Sequence, residues 1–324
     1  MNIFFYDVAI SVPLRQCFTY SSNLKIEKGS RVLVPFGNRK VIGLVIKKSK
    51  EAIGNNIEIK KIISSIDTYP VFNKSIFNTI LWSSEYYHHP IGEVFNTFIP
   101  NQLRKANNKV IEPLAVEDSY QIYINEKEKK FDLTPDQSKA LKQLLKLNSF
   151  QPSLLYGVTG SGKTEVYLRL VENSIKNGKS ALILVPEINL TPQLFNRFTS
   201  RFKGEIGLYH SRQTPAQRLK VWLKARFGNI KIVIGTRSAV LMPMKNIGLI
   251  VIDEEHDQSY RQSEGFKFSA RDIGIKRAQE ENIPIVLGSA TPSLQTLRLV
   301  QGWLFDTKVG FFNRKPSVPL LLGS

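Results

Sequence analysis

Residues Gly157-Val158-Thr159-Gly160-Ser161-Gly162-Lys163-Thr164 carry the spacing G-x-x-x-x-G-K-[ST]. They follow the apolar run SLLY and open a helix-length amphipathic stretch, the context in which this spacing has a mechanism. Glycines let backbone N–H groups close around phosphate oxygens at a helix N-terminus, Lys163 reaches the β and γ phosphates, and the Thr164 hydroxyl can ligate Mg²⁺. A chance Gly-rich turn would lack the Lys-Thr pair. Farther on, Asp253-Glu254-Glu255-His256 ends the apolar run LIVID, where a P-loop enzyme needs a second Mg²⁺-directed carboxylate. Asp253 is expected to hold the ion through water, and Glu254 to orient or deprotonate the attacking water. ATP and Mg²⁺ are therefore the expected ligands, with Lys163, Asp253 and Glu254 as the catalytic set.

These groups must be placed by a particular scaffold. From Phe131 onward, apolar runs of strand length (SLLY, ALILV, KIVIG, LIVID, PIVLG) alternate with amphipathic stretches of helix length. Continuous apolar runs suit a sheet covered on both faces, so the pattern predicts a parallel, doubly wound α/β domain with ligands outside the carboxyl ends of the strands. Residues 1–65 instead read as short β segments broken by Gly, Pro and Asn, over 6–10, 31–34, 41–47 and 57–63. A helix follows Pro70, with Ile76, Ile80 and Leu81 on one face and Tyr86, Tyr87, His88 and His89 closing it before Pro90. The stretch from 106 to 130 turns polar and mixed in charge, with one strand-like patch at 121–124. The expected organisation is a small β-rich (α+β) domain at 1–105, a linker at 106–130, an ATP-binding lobe at 131–310 and a tail at 311–324.

The chain has 324 residues and a net charge of +18, with the basic excess in both the first 105 residues and the lobe. Polyanions are the expected partners. One cysteine, Cys17, allows no internal disulfide or thiolate cluster, and neither a signal peptide nor a membrane-spanning run is evident. A cytoplasmic location and no membrane partner are expected. His88-His89 is a weak metal signal, since adjacent side chains diverge and no third ligand clusters nearby.

A P-loop followed by D-E-x-H is the pattern of superfamily 2 helicases, and longer segments resemble the bacterial replication-restart (PriA) helicase family in particular. They are LVPEINLTPQ (184–193), YHSRQTPAQRLKVWLKARFGNIKIVIGTRSAV (209–240), VIDEEHDQSYRQSEGFKFSARD (251–272) and LGSATPSLQTL (287–297). In the N-terminal part, VAISVPLRQCFTY (8–20), GSRVLVPFG (29–37) and YYHHPIGEV (86–94) resemble that family's 3′-end-binding domain. The resemblance implies a RecA-like helicase lobe and an ATP-dependent 3′–5′ DNA helicase that recognises stalled or abandoned forks so that a primosome assembles. It implies forked and single-stranded DNA, primosome proteins and single-strand DNA-binding protein as partners. Gln137 matches the adenine-reading glutamine. Arg237, with Thr236 and Ser238, matches a strand-end motif facing DNA. Glu255, His256, Ser289 and Thr291 match coupling positions. Phe18, Gly37 and Lys60 match positions around a nucleotide pocket, and Thr19 stands where the family often has an acid. The segment 257–271 matches a loop linking DNA contact to ATP turnover. Its own composition, Tyr260, Phe266 and Phe268 alternating with Arg261, Lys267 and Arg271, offers faces for base stacking beside phosphate partners, or else aromatics packed under a surface loop.

The sequence also departs from a complete helicase of that kind. It has no segment that supplies the second lobe's arginine fingers or a zinc-binding cysteine cluster, and 106–130 is too short for a winged helix. No zinc is expected, and the expectation is a truncated or split gene product, with a separate polypeptide carrying lobe 2 as a candidate partner. Alone it is expected to bind DNA and ATP with impaired hydrolysis and unwinding. Two alternatives differ in class: a non-hydrolysing fork-binding module, and an unrelated P-loop NTPase such as a small-molecule kinase, which the basic charge and the connecting motifs disfavour.

Overall fold

In the computed structural model, residues 3–49, 59–67, 69–105, 111, 122–128, 131–302 and 308–310 are described. Near the N-terminus β1 (Phe4–Ile10), β2 (Phe18–Ser22), β3 (Arg31–Phe36), β4 (Arg39–Lys48) and β5 (Ser64–Ser65) form an antiparallel sheet in the order β2-β1-β4-β3-β5. Side chains alternate between its faces. Tyr6, Val8, Ile10, Val32, Val34 and Val45 fill one cluster, whereas Ala9 and Leu44 point into another beneath the helices. Of the strand predicted over 57–63, residues 57 and 58 lie outside the described residues. The rest makes only a bridge from Lys61 to Ser21, and the ladder forms later, at β5.

Helix α1 (Lys74–Tyr86) starts where the Asn73 side chain accepts from the Ile76 N–H, and it buries Ile76, Phe77 and Ile80 along one face. Helix α2 (Ile91–Phe98) is a second one that the sequence reading did not foresee. It begins directly after Pro90, in a segment too short to display a clear 3.6-residue period.

The larger sheet is parallel throughout. Its strands are β7 (Gln151–Tyr156), β8 (Ser180–Leu184), β10 (Ile206–Tyr209), β11 (Ile232–Gly235), β12 (Ile247–Ile252), β13 (Pro284–Ser289) and β14 (Lys308–Gly310), in the order β10-β11-β8-β12-β13-β7-β14. All five apolar runs named above are strands of this sheet. Helices α3 (Pro135–Leu144), α4 (Lys163–Lys176), α5 (Pro192–Arg201), α6 (Pro215–Phe227), α7 (Ala270–Glu281) and α8 (Leu294–Gly302) complete the lobe. Both α3 and α6 open on a Thr capping box with Pro in the first turn, Thr134 with Gln137 and Thr214 with Gln217.

Alternation along the central strands feeds two layers. Ala181, Ile183, Leu249 and Val251 meet α3, α4 and α5, while Leu182, Leu184, Ile250 and Ile252 meet α6 and α7. That second layer does not stop at the lobe. Phe72, just ahead of α1, and Ile76, Phe95 and Phe98 of the N-terminal helices lie in the same continuous core as Trp222, Ile273 and Ile285. Trp222 Nε1 donates to the Phe98 carbonyl at 3.2 Å, and Asn78 Nδ2 donates to Glu280 at 2.8 Å. The two regions that the sequence reading separates share one apolar interior.

Much of the expected linker, and the whole tail from 311, lies outside the described residues. Of the linker's described residues, 122–128 are bound to the lobe. Here β6 (Tyr123–Ile124) pairs with β9 (Phe202–Lys203), Ile122 is buried, and Glu128 accepts from Arg201 Nε at 2.6 Å. Arg201 is itself buried and also bonds Glu172 at 2.8 Å and Glu165 at 3.0 Å, so this stretch closes a buried charge network. No helix among the described residues is long and apolar enough to cross a membrane.

Candidate ATP site and DNA-facing surface

The P-loop leaves β7 at Tyr156 and enters α4 at Lys163, with Gly160 and Gly162 in the left-handed region at φ 79° and 80°. Val158, Thr159 and Gly160 are exposed, and the hydroxyl of Ser161 is buried without a partner. Lys163 is buried. Its Nζ donates to the Gly157 carbonyl at 2.8 Å and lies 3.3 Å from Glu254 Oε1. Thr164 follows, half-buried, in the first turn of α4.

Strand β12 delivers the acidic motif beside it. Asp253 Oδ1 accepts from the Tyr167 hydroxyl at 2.9 Å, and Tyr167 stands one helical turn beyond Lys163 on the same face of α4. Burial holds the Asp253 carboxyl above the usual aspartate value, opposed by the Tyr167 hydrogen bond and by Lys163, with Glu254 acting in the raising direction. Burial and the neighbouring Asp253 charge push the Tyr167 phenol well above the usual tyrosine value. Glu254 has φ 44°, a left-handed conformation that a side chain adopts at a cost of roughly 1–3 kcal/mol. That turn aims its carboxylate at Lys163. Gly288 on β13 is needed for the same geometry, because a Cβ there would overlap the Tyr167 hydroxyl.

The cradle fits a nucleoside triphosphate with Mg²⁺. An open glycine loop, an orphaned hydroxyl, and a lysine held by a carbonyl and a carboxylate are groups that a phosphate chain would engage. Gln137, the residue matched to adenine reading, lies beside the P-loop. Its Oε1 accepts from the Thr134 N–H at 2.9 Å and its Nε2 donates to the Ser161 carbonyl at 2.8 Å. Each end of the amide thus makes one bond, capping α3 and bracing the P-loop, and keeps one donor and one lone pair.

The positions matched to coupling fall in two side-chain hydrogen-bond sets. His256 Nδ1 lies 2.8 Å from Ser289 Oγ, and Thr291 Oγ1 lies 3.1 Å from His256 Nε2. Glu255 is buried and accepts from the Ser293 N–H at 2.8 Å, from Thr296 Oγ1 at 2.7 Å and from Arg271 at 3.3 Å. Ser293, Thr296 and Tyr167 were missed in the sequence. The first two sit just past the SATP segment, and Tyr167 was recoverable from its four-residue spacing to Lys163.

The loop from 257 to 271 corrects the stacking expectation. Tyr260, Phe266 and Phe268 are buried: Phe266 stacks on Phe268 at 5.1 Å and meets Tyr87 edge-on at 5.6 Å. The Tyr260 hydroxyl donates to the Asp253 carbonyl at 2.6 Å. Arg271 is also internal, bound to Glu255, Asp272, Ser293 and Gln295, so it is not free for a phosphate. Of the three aromatic and three basic residues, Arg261 and Lys267 are the exposed pair. The alternation of aromatic and basic residues is an inside–outside pattern. Arg237, half-buried on the turn after β11, donates to the carbonyls of Ser259 at 3.2 Å and Arg261 at 2.6 Å, so it braces this loop.

In the N-terminal sheet Phe18 meets Phe36 edge-on at 5.1 Å, and Gly37 turns the β3–β4 hairpin with open space around it. Lys60 is exposed, and its carbonyl accepts from Ser21. At Thr19 the hydroxyl donates to Asp7 at 3.0 Å. Among the described residues no cluster of three or more His, Cys, Asp or Glu side chains is placed to hold a metal ion.

A P-loop facing a D-E-E-H turn across a parallel sheet defines a helicase motor lobe, and residues 134–300 match the DEAD/DEAH box helicase family, to which the chain belongs. Residues 7–100 match the family described as the 3′DNA-binding domain (3′BD) of PriA. The chain is similar to the replication restart protein PriA of Haemophilus influenzae, at 34% identity over 91% of this chain and 50% of that one. The Bacillus subtilis protein of the same name is 40% identical over 58% of this chain and 24% of its own. The chain thus spans about half the length of the Haemophilus relative and less of the other. Among solved structures, RecG bound to a three-way DNA junction aligns with a TM-score of 0.41 at 26% identity, over 53% of this chain and 23% of that one.

Proposed function

We propose that the chain supplies the DNA-end-binding domain and the first ATP-binding motor lobe of a PriA-type 3′–5′ DNA helicase of replication restart, in the cytoplasm. Forked and single-stranded DNA are its substrates. Primosome proteins and single-strand DNA-binding protein are its proposed partners. The carrying observation is Lys163 held between the Gly157 carbonyl and Glu254, beside Asp253, at the mouth of an open glycine loop.

The roles follow from that geometry. Lys163 exchanges Gly157 and Glu254 for phosphate oxygens, which frees Glu254 to orient water. Thr164 and Asp253 are the proposed Mg²⁺ ligands, and the ion would neutralise phosphate charge when bound. Glu255, through Arg271, Ser293 and Thr296, ties the acidic turn to the SAT segment, and His256 does so through Ser289 and Thr291. Arg237, Arg261 and Lys267 are the lobe's candidate DNA contacts, and Phe18, Gly37 and Lys60 those of the N-terminal sheet.

The 324 residues taken by themselves are proposed to bind ATP without turning it over efficiently. Arginines that stabilise a transferring phosphoryl are worth on the order of 10³–10⁵ in rate, and the residues converging here include none aimed at that position. Nucleotide binding and DNA-stimulated ATPase assays on the purified chain test this. Lys163→Ala is expected to abolish nucleotide binding, and Glu254→Gln to leave it intact. Robust DNA-stimulated hydrolysis, lost in Glu254→Gln, would overturn the limit on turnover. Failure to bind DNA would sink the helicase reading of this chain.

A further inference from the structure

The seam between the N-terminal helices and the motor lobe is not apolar along its whole length. Helix α6 is anchored there by Trp222, whose ring meets Phe72 edge-on at 6.5 Å and whose Nε1 bonds Phe98. Arg218 lies one turn earlier on the same helix, so it projects along the same seam. Its guanidinium covers the Tyr209 ring at 4.8 Å and donates to the Tyr209 hydroxyl at 3.3 Å, while its Nε is buried with no acceptor. From the other side comes Arg104, just past the short 3-10 turn 101–103. Two of its nitrogens donate to the single carbonyl of Ile99, at 3.0 and 2.9 Å. Arg104, Arg218 and Arg237, with Thr97, Thr236 and Ser238, line one cavity of about 350 Å³.

Among the described residues none of these three arginines has a carboxylate within ion-pair distance. Two acids also line the cavity, Glu187 and Glu264, and Glu187 is engaged by the Ser211 hydroxyl at 2.6 Å. Arg104 is open to solvent, and partial desolvation in the seam holds its guanidinium below the usual arginine value, with Tyr209 opposing and the Arg218 charge acting in the same direction. A cavity that gathers three guanidiniums, and in which the buried Arg218 Nε–H has no acceptor, suits an anion with several acceptor oxygens.

We propose that this seam is a phosphodiester-binding slot, in which Arg104 and Arg218 grip one backbone phosphate between them as a strand passes from the motor's strand ends to the N-terminal domain. The proposal rests on the DNA-binding reading above and adds to it a place and two residues. A slot built half from each region fixes the strand's path across the joint. It also makes the shared core beneath it part of the binding apparatus.

Fluorescence anisotropy with labelled single-stranded and forked oligonucleotides, across a salt series, tests it on the full chain. Arg104→Gln and Arg218→Gln are each expected to weaken binding roughly tenfold, and to reduce the salt slope by about 0.7–0.9 for the one phosphate lost. Arg218→Lys keeps the charge and is expected to keep most of the slope. Because both arginines hold the same phosphate, the double Gln variant is expected to lose less than the product of the single losses. Should Arg218→Gln fold poorly, Arg104→Gln and Arg218→Lys decide the matter, with thermal midpoints matched to wild type. Slopes unchanged in the folded variants, or losses that multiply fully, would overturn the slot. So would inorganic phosphate at millimolar levels raising the wild-type midpoint in an Arg218-dependent way while leaving oligonucleotide affinity untouched, since that assigns the cavity to a free anion. A wild-type chain that binds no DNA fails the earlier reading first, and is told apart by that.

Discussion

The P-loop and the loop from 257 to 271 both read, as sequence, like surfaces turned toward a ligand, and the structure treats them oppositely. In the P-loop, Val158, Thr159 and Gly160 face solvent and the lysine stands at the mouth. In the second loop the aromatic residues face inward, while the basic residues Arg261 and Lys267 face out. The difference lies in what each pattern specifies. A phosphate cradle is made by backbone N–H groups, so glycine spacing fixes its geometry directly. An aromatic ring has no such constraint, and it buries itself wherever apolar neighbours allow. Here Tyr87 and His89, at the end of α1, supply those neighbours at 5.6 and 5.3 Å from the Phe266 ring.

The strongest way to break this comparison is Phe266→Ala. If the ring is core, truncation costs about 3–5 kcal/mol of stability in urea unfolding, and the oligonucleotide affinity of the remaining folded protein stays within a small factor. A stacking residue would behave the other way, with stability kept and binding weakened by roughly 1–3 kcal/mol. Lys267→Gln is the complement, since its expected effect is on affinity and salt slope with the melting temperature unchanged.

A smaller effect sharpens the other half. Gly288→Ala puts a methyl group where the Tyr167 hydroxyl passes over β13 toward Asp253. Overpacking of this kind costs about 1–3 kcal/mol. The expected signature is a lower melting temperature together with weaker Mg²⁺-dependent nucleotide binding. A variant as stable and as tight-binding as wild type would show that Tyr167 reaches Asp253 by another route.

What was legible in the sequence follows the same division. The central strands β8, β11, β12 and β13 were found because both faces are buried and their sequences are continuously apolar. The outermost strands β10 and β14 were not, being short runs at the sheet's edges, where one side has no partner strand. Lys163, Asp253 and Glu254 were named from spacing, and the positive φ of Glu254 was not, because nothing in D-E-E-H announces a left-handed residue. The capping-box role of Gln137 was legible in TPDQ, which gives its side-chain carbonyl oxygen a local partner. The shared core escaped altogether. Phe72 and Phe98 look like the interior of their own domain until Trp222 is brought onto them from more than a hundred residues away.

The smallest expected effect tests how Asp253 is kept ready. Burial raises its carboxyl above the usual aspartate value, and the Tyr167 hydroxyl works against that by donating to the charged form. Removing only the hydroxyl, in Tyr167→Phe, leaves the ring and the packing on Gly288 in place. Burial then acts with less opposition, so the carboxyl rises further. A protonated Asp253 cannot hold a cation, so in wild type Mg²⁺-dependent nucleotide affinity is lost as pH falls through the raised value, and in the variant the same loss begins at higher pH. At high pH, where the carboxylate is ionised in both proteins, the affinities converge apart from the missing hydrogen bond, worth about 1 kcal/mol. Titrating a fluorescent ATP analogue with and without Mg²⁺ across pH reads the shift directly. A Mg²⁺ dependence that moves toward lower pH in Tyr167→Phe, or does not move, would mean that the hydroxyl does not favour the ionised carboxylate, and that Lys163 and the Glu254 backbone N–H hold Asp253 in the charged form.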